Sequence, residues 1–126
     1  MTDFKNTAWD FTRTIEDRFA NTTITATGTM RLSDVQWQEK GEINSNPFFQ
    51  LYRVDFSKGL TVSFKDGREF YSIPTIIGKH HIEHLCGRDL YIGNWVGGRE
   101  SIALQWKVKG DKKDYTMQSV YQKSSS

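Results

Sequence analysis

Apolar residues recur at every second position through most of this chain. Turn residues interrupt the pattern at roughly the eight-to-twelve-residue spacing typical of all-β proteins. A period of two puts successive side chains on opposite faces of an extended strand. No segment carries a convincing helical stripe. The rows Trp9-Phe11-Arg13-Ile15, Ile24-Ala26-Gly28-Met30-Leu32, Val35-Trp37-Glu39-Gly41-Ile43 and Ile82-His84-Cys86 each define one inward face. Ile102-Leu104-Trp106-Val108 and Tyr115-Met117-Ser119-Tyr121 define two more.

Strands are predicted over Ala8 to Asp17, Thr23 to Leu32, Val35 to Ile43, Phe48 to Phe56, His80 to Cys86 and Leu90 to Trp95, with two more through the last two rows. Asn44 to Pro47, Pro74 to Lys79 and the glycine-rich Val96 to Glu100 read as loops, the last a mobile one. Leu60 to Ser72 is the clearest hairpin. Its Lys65-Asp66-Gly67 loop, with Gly67 in the left-handed region, pairs Phe64 with Arg68 and Val62 with Phe70. That register turns Arg68 inward. Sequential hairpins of this kind favour an antiparallel up-and-down β-barrel of eight to ten strands, a shape able to hold one small ligand.

Several inward rows contain residues that do not belong in an apolar core. Arg13, Glu39, Arg68 and His84 share a face with Trp, Ile and Phe. A buried lone charge is very costly, so these side chains must pair with one another or line a polar cavity. Arg13 and Arg68 are candidate clamps for a carboxylate or phosphate, because a guanidinium offers two parallel donors. An internal salt bridge to Glu39 is the structural alternative. Trp9, Trp37 and Trp106 on these rows read mainly as core, and Trp106 is kept as a candidate wall of the site.

The string His84-Leu85-Cys86-Gly87-Arg88-Asp89-Leu90-Tyr91 concentrates the remaining chemistry. His84 suits proton transfer near neutral pH, Asp89 could fix its tautomer, and the Tyr91 hydroxyl could donate to a carbonyl or anionic oxygen. His84, Asp89 and Tyr91 are therefore candidate catalytic residues. The alternative is a core histidine bonded to Glu39 or Asp89. Cys86 lies two residues from His84 on the same strand face. That spacing gives little contact for a Cys-His nucleophile, and a small buried hydrophobe is the plainer reading. His84, Cys86 and Asp89 are acceptable zinc ligands in kind, but their spacing matches no usual zinc site. Nothing in the spacing argues for haem, with His84 or His81 as ligand. No cofactor is expected.

At 126 residues the chain has the length of one domain, expected over 1–126 with a frayed Ser124 to Ser126 tail. A net charge of +2, with both signs interleaved, gives no concentrated basic stripe for nucleic acid. The Lys112-Lys113 pair reads as a solvated turn. No apolar stretch approaches a membrane span. One cysteine permits no intrachain disulfide, and the first seven residues hold no apolar signal region, so a reducing, cytoplasmic setting is expected. The sequence carries no signal for oligomeric state.

Taken in order, these motifs resemble a small uncharacterised family, a domain of unknown function, over nearly the whole chain. The resemblance rests on Trp9…Arg13-x-Ile15-x-Asp17, Trp37-x-Glu39-x-Gly41, Phe64-x-Asp66-Gly67-Arg68-x-Phe70, His84-x-Cys86-x-x-Asp89-x-Tyr91 and Trp106-x-Val108-x-Gly110-x-x-Lys113-Asp114-Tyr115. Asp111 stands where that family has proline. The resemblance implies a lipocalin-like, calycin-type barrel and no established activity. The opening strand is also similar to the lipocalin G-x-W signature, with Thr7 in place of the glycine. The expectation is a barrel that binds a small anionic or carbonyl-bearing molecule through Arg13, Glu39, Arg68, His84, Cys86, Tyr91 and Trp106. An acid/base enzyme (isomerase, lyase or hydrolase) using His84, and a non-catalytic interaction module, remain the alternatives.

Overall fold

The computed structural model describes residues 4–124, and these form an all-β fold of ten strands. They are β1 (Thr7–Asp17), β2 (Thr22–Leu32), β3 (Gln36–Ile43), β4 (Asn46–Asp55), β5 (Leu60–Ser63), β6 (Glu69–Ile73), β7 (Gly78–Cys86), β8 (Asp89–Gly97), β9 (Ser101–Lys109) and β10 (Asp114–Lys123). They form one antiparallel sheet in the order β6-β5-β4-β3-β2-β1-β10-β9-β8-β7, curled into a nearly closed barrel. Every pair of strands consecutive in sequence is hydrogen-bonded except β6 and β7. Those two edges face each other across a seam. Contact there runs through aromatic rings, with Phe70 and Phe64 of the β5-β6 hairpin 5.3 and 6.1 Å from the His84 ring on β7.

The predicted inward rows of β1, β2, β9 and β10 hold. Trp9, Phe11, Met30, Leu32, Leu104, Trp106, Val108 and Tyr121 are buried. Curvature between β2 and β3 comes from Gly28 opposite Gly41. A Cβ on Gly28 would overlap the Lys40 carbonyl oxygen, and one on Gly41 would overlap that of Thr27. Only two facing glycines let the backbones approach so closely. Buried Phe4, Trp9, Trp95 and Ile76 fill the lower end, the end of the 74–77 connection. The indole N–H of Trp95 donates to the Ile76 carbonyl at 2.8 Å, and that of Trp9 to Thr7 Oγ1 at 2.8 Å. Such buried donors need partners, and these have them.

The turns at 18–21, 44–45, 64–68, 87–88 and 110–113 make the upper rim. The predicted 44–47 loop shortens to two residues, Asn44 and Ser45, at φ 50° and 68°. Both central residues in the left-handed region is the type I′ geometry that matches strand twist. Asn46 and Pro47 therefore belong to β4. Ile43 and Asn46 close that turn, so Glu42 and Pro47 form the next, non-hydrogen-bonded pair. The nitrogen of Pro47 thus points to the outer edge of β4, where no ladder needs it. β5 reaches only Arg53 to Asp55 of β4. The upper wall is notched between β4 and β7, and the 64–68 turn stands in the gap.

Four other expectations change. Val35 is 58% exposed, because β3 starts after it and the 33–35 turn carries it outside. Val96 and Gly97 are ladder residues opposite Ala103 and Ile102, so the glycine-rich segment turns only at 98–100. In the β5-β6 hairpin Phe64 does pair with Arg68, its N–H donating to the Arg68 carbonyl at 2.8 Å. Val62, however, faces Tyr71, because a bulge follows and Phe70 is the extra residue. A bulge turns two successive side chains to one face. Phe70 and Tyr71 both point inward as a result. Of the expected frayed tail, Ser124 is tied down through its N–H to the Ala8 carbonyl at 2.8 Å, and residues 125–126 lie outside the described part.

Candidate functional site

Two neighbouring chambers occupy the barrel above its packed lower end. The deep chamber has a volume of about 220 Å³, and the upper one about 190 Å³. Neither is enclosed. They share Tyr52, Phe70, Trp106 and Met117 as walls. Phe70 stacks on Trp106, with ring centroids 4.9 Å apart and planes 14° apart, and this pair forms the partition. Trp106 sits over Gly93, where any Cβ would strike its ring. The bulge that brings Phe70 inward therefore divides the cavity.

The floor of the deep chamber is a polar cluster built from four strands. β1 supplies Arg13, β3 Trp37 and Glu39, and β10 Ser119 and Tyr121. β4 adds Gln50 and Tyr52 on the wall. Glu39 is 2% exposed and fully coordinated. Arg13 Nη2 lies 2.9 Å from Oε1 and donates to Oε2 at 3.0 Å. Trp37 Nε1 donates to Oε2 at 3.0 Å and the Tyr121 hydroxyl at 2.5 Å. Arg13 Nε donates to Ser119 Oγ at 2.7 Å, and Nη2 also reaches the Tyr121 oxygen at 2.8 Å. Burial works against the Arg13 charge, but Tyr121 and Glu39 more than reverse this and leave its pKa raised. Of the two sequence readings of Arg13, a clamp for an anion or an internal partner of Glu39, the internal salt bridge is the one present here.

The cluster leaves donors unspent. Among the described residues Arg13 Nη1 has no hydrogen-bond partner, nor do the side chains of Gln50, Tyr52 and Tyr71. Among the described residues only His80 Nε2 is both partnerless and sealed from the surroundings, so these four groups remain open to the chamber they line. Burial, reinforced by the Glu39 charge, pushes the Tyr52 phenol up to about 12. Burial, then the neighbouring Tyr52 and Glu39, pushes Tyr71 well up too. Tyr121 rises for the same reasons, burial first and Glu39 second. All three phenols are neutral hydroxyls at ordinary pH. Among the described residues Arg13 and Glu39 are the only charged side chains on the deep chamber, and they cancel.

The upper chamber is aromatic. Tyr52, Phe64, Phe70, Tyr91, Trp106 and Tyr115 surround it, together with His84 and Cys86. His84 is half-buried and faces Tyr91 in register on β8, with ring centroids 5.9 Å apart. The predicted histidine–carboxylate pair is absent. Asp89 turns away, packs against Gly110 and holds Lys113 Nζ at 3.1 Å. Lys113 also donates to the Tyr91 hydroxyl at 3.2 Å, so it anchors the rim and is no purely solvated turn residue. The carboxylate assigned to orient His84 thus serves Lys113, because Cys86 and Asp89 flank a two-residue turn that sends its side chain toward β9-β10. Cys86 is exposed rather than buried, at the edge of the upper chamber.

Arg68 is outside the site altogether. Its side chain is 68% exposed and pairs with Asp66 at 2.7 Å. Asp66 also accepts the Arg68 backbone N–H at 3.0 Å. The turn closes on itself above the wall, so an inward register at its tip points past the rim. No group of three metal-ligating side chains is found among the described residues. Sequence reasoning missed Tyr52, Gln50, Tyr71 and Tyr121 as site residues. Tyr121 was visible on an inward row two residues from Ser119, the register partner of Arg13. Gln50 and Tyr52 were obscured because β4 looks apolar on both faces.

The model of a family of unknown function (DUF6314) matches residues 6–123. No curated protein matches the chain.

Proposed function

The chain belongs to that family of unknown function, and from its interior we propose that it is a small-molecule-binding barrel whose ligand enters past the upper rim and carries a hydrogen-bond acceptor to Arg13. The observation that supports this reading is the unspent Nη1 of Arg13, held rigidly by Ser119, Glu39 and Tyr121 yet open to a chamber. A purely structural ion pair has no need of an adjoining cavity. Ligand sites combine apolar walls with a few convergent polar groups, and these chambers have that character. Each is smaller than the roughly 300–1,000 Å³ of drug-sized sites, so the ligand is small or spans both. Its body is flat and apolar, to fit among Phe64, Phe70, Tyr91 and Trp106.

The test is a thermal-shift and fluorescence titration with a panel of phenyl and naphthyl ketones, amides and carboxylates, alongside native mass spectrometry of the purified protein. Binding should raise Tm and quench Trp37 and Trp106. If no panel member binds and no adduct co-purifies, the binding reading fails.

A further inference from the structure

We propose that the acceptor recognised at Arg13 is an uncharged carbonyl, as in a ketone, ester or amide, and that the deep chamber selects against carboxylates and phosphates. This inference rests on the binding reading above and narrows it. An interior arginine ordinarily suggests an anion, since a guanidinium matches a carboxylate in shape and charge. Here its charge is already matched. Glu39 contacts Nη2 through both oxygens and is itself held by Trp37 and Tyr121. Glu39 cannot swing away without stranding those donors and burying an unpaired carboxylate. No second cation lines the deep chamber.

An incoming carboxylate would therefore bring a net negative charge into a neutral, largely apolar space, close to Glu39. Such a charge loses its hydration and gains no counter-ion. A carbonyl oxygen asks only for donors, and the chamber offers them in Arg13 Nη1, the Gln50 amide and the hydroxyls of Tyr52 and Tyr71. Those hydroxyls stay protonated, which preserves them as donors. The cations that do exist, Lys113 and Arg68, stand at the rim on Tyr91 and Phe64, too far out to neutralise a group at the floor.

The experiment compares 2-acetylnaphthalene with 2-naphthoate, two probes of nearly equal size and shape that differ in charge. Affinity is read by calorimetry and tryptophan quenching on the intact protein, and position by the guanidinium ¹⁵N resonances of Arg13. The ketone should bind about tenfold or more tightly than the carboxylate, the ratio expected from one poorly compensated buried charge. It should also shift the Arg13 resonances. In Glu39→Gln the chamber gains a net positive charge, and the preference should invert toward naphthoate. Equal or tighter binding of naphthoate to the wild-type protein overturns the inference while leaving the binding reading intact. Ketone binding without a shift at Arg13 overturns it as well. If neither probe binds while another panel member does, the inference falls and the binding reading stands; if no panel member binds and no adduct co-purifies, both fall. The wild-type comparison stands whether or not Glu39→Gln folds.

Discussion

Replacing Arg13 by Met should destabilise the protein far more than the loss of its own contacts suggests. The substitution keeps most of the aliphatic bulk and removes the charge. Glu39, 2% exposed, then has only Trp37 and Tyr121 as neutral donors. Breaking a buried pair from one side costs about 3–5 kcal/mol. Glu39→Gln keeps an oxygen for Trp37 and Tyr121 and leaves Arg13 with Ser119 and an open chamber, so its cost should be about 1–3 kcal/mol. The double variant removes both charges together. A neutral pair of similar volume is often as stable as the ion pair it replaces, so the double variant should lie within about 2 kcal/mol of wild type. The cycle then gives a coupling energy of about 2 kcal/mol or more. Equilibrium urea unfolding followed by tryptophan fluorescence measures it, with the four midpoints compared at constant m-value. If the two single losses add to within about 0.5 kcal/mol, Arg13 and Glu39 do not act as a unit and the account of the chamber floor is wrong.

Arg68→Met, by contrast, should leave Tm and ligand binding at wild-type values, since its exposed pair with Asp66 is of the kind that adds little stability; a large Tm loss in a melt would put Arg68 back inside. Alkaline pH should unfold the protein cooperatively. Tyr52, Tyr71 and Tyr121 have folded pKa values above their unfolded value near 10, so their contribution is full below pH 10 and declines as pH rises through the folded values. Each adds a loss of about 1.4 kcal/mol per pH unit in that window, and phenolate absorbance should rise together with loss of circular dichroism; ionisation of these phenols in a protein still folded would contradict it. Gly28→Ala should cost at least about 3 kcal/mol or prevent folding, because the new Cβ meets the Lys40 carbonyl rather than a mobile side chain. Urea midpoints decide this, and a loss under 1 kcal/mol would show that the two backbones can part.

The barrel and the heart of its interior were legible because the sheet enforces a strict period of two. Against that period Arg13 and Glu39 stand out as charges among Trp, Phe and Ile, which must either pair or line a polar cavity, and the structure pairs them. Arg68 carried the same signature and ended outside. Face parity says which side of a strand a residue takes, but not whether the wall still exists at its height. Phe70 was expected inward and is inward; its neighbour Tyr71, turned to the same face by the bulge, was obscured differently. A bulge adds one residue without a local composition cue, so the parity of everything before it is displaced. The Asp89 assignment failed on direction, since closeness in sequence to His84 does not decide which neighbouring strand a turn residue leans toward.

The seam between β6 and β7 also determines where the first and last strands must meet. They lie side by side in the middle of the sheet, and Ser124 bonds to Ala8. β1 cannot complete its edge until β10 has been synthesised, and the Arg13–Ser119 contact bridges 106 positions. Contacts of such separation are the slow ones to form. A circular permutant that links the end of β10 to the start of β1 and opens within 74–77 would read β7-β8-β9-β10-β1-β2-β3-β4-β5-β6. In that order every ladder is a local hairpin, and no hydrogen-bonded pair is cut. The same wall would be assembled strictly from neighbour to neighbour, and stopped-flow refolding should find the permutant faster than the unpermuted sequence.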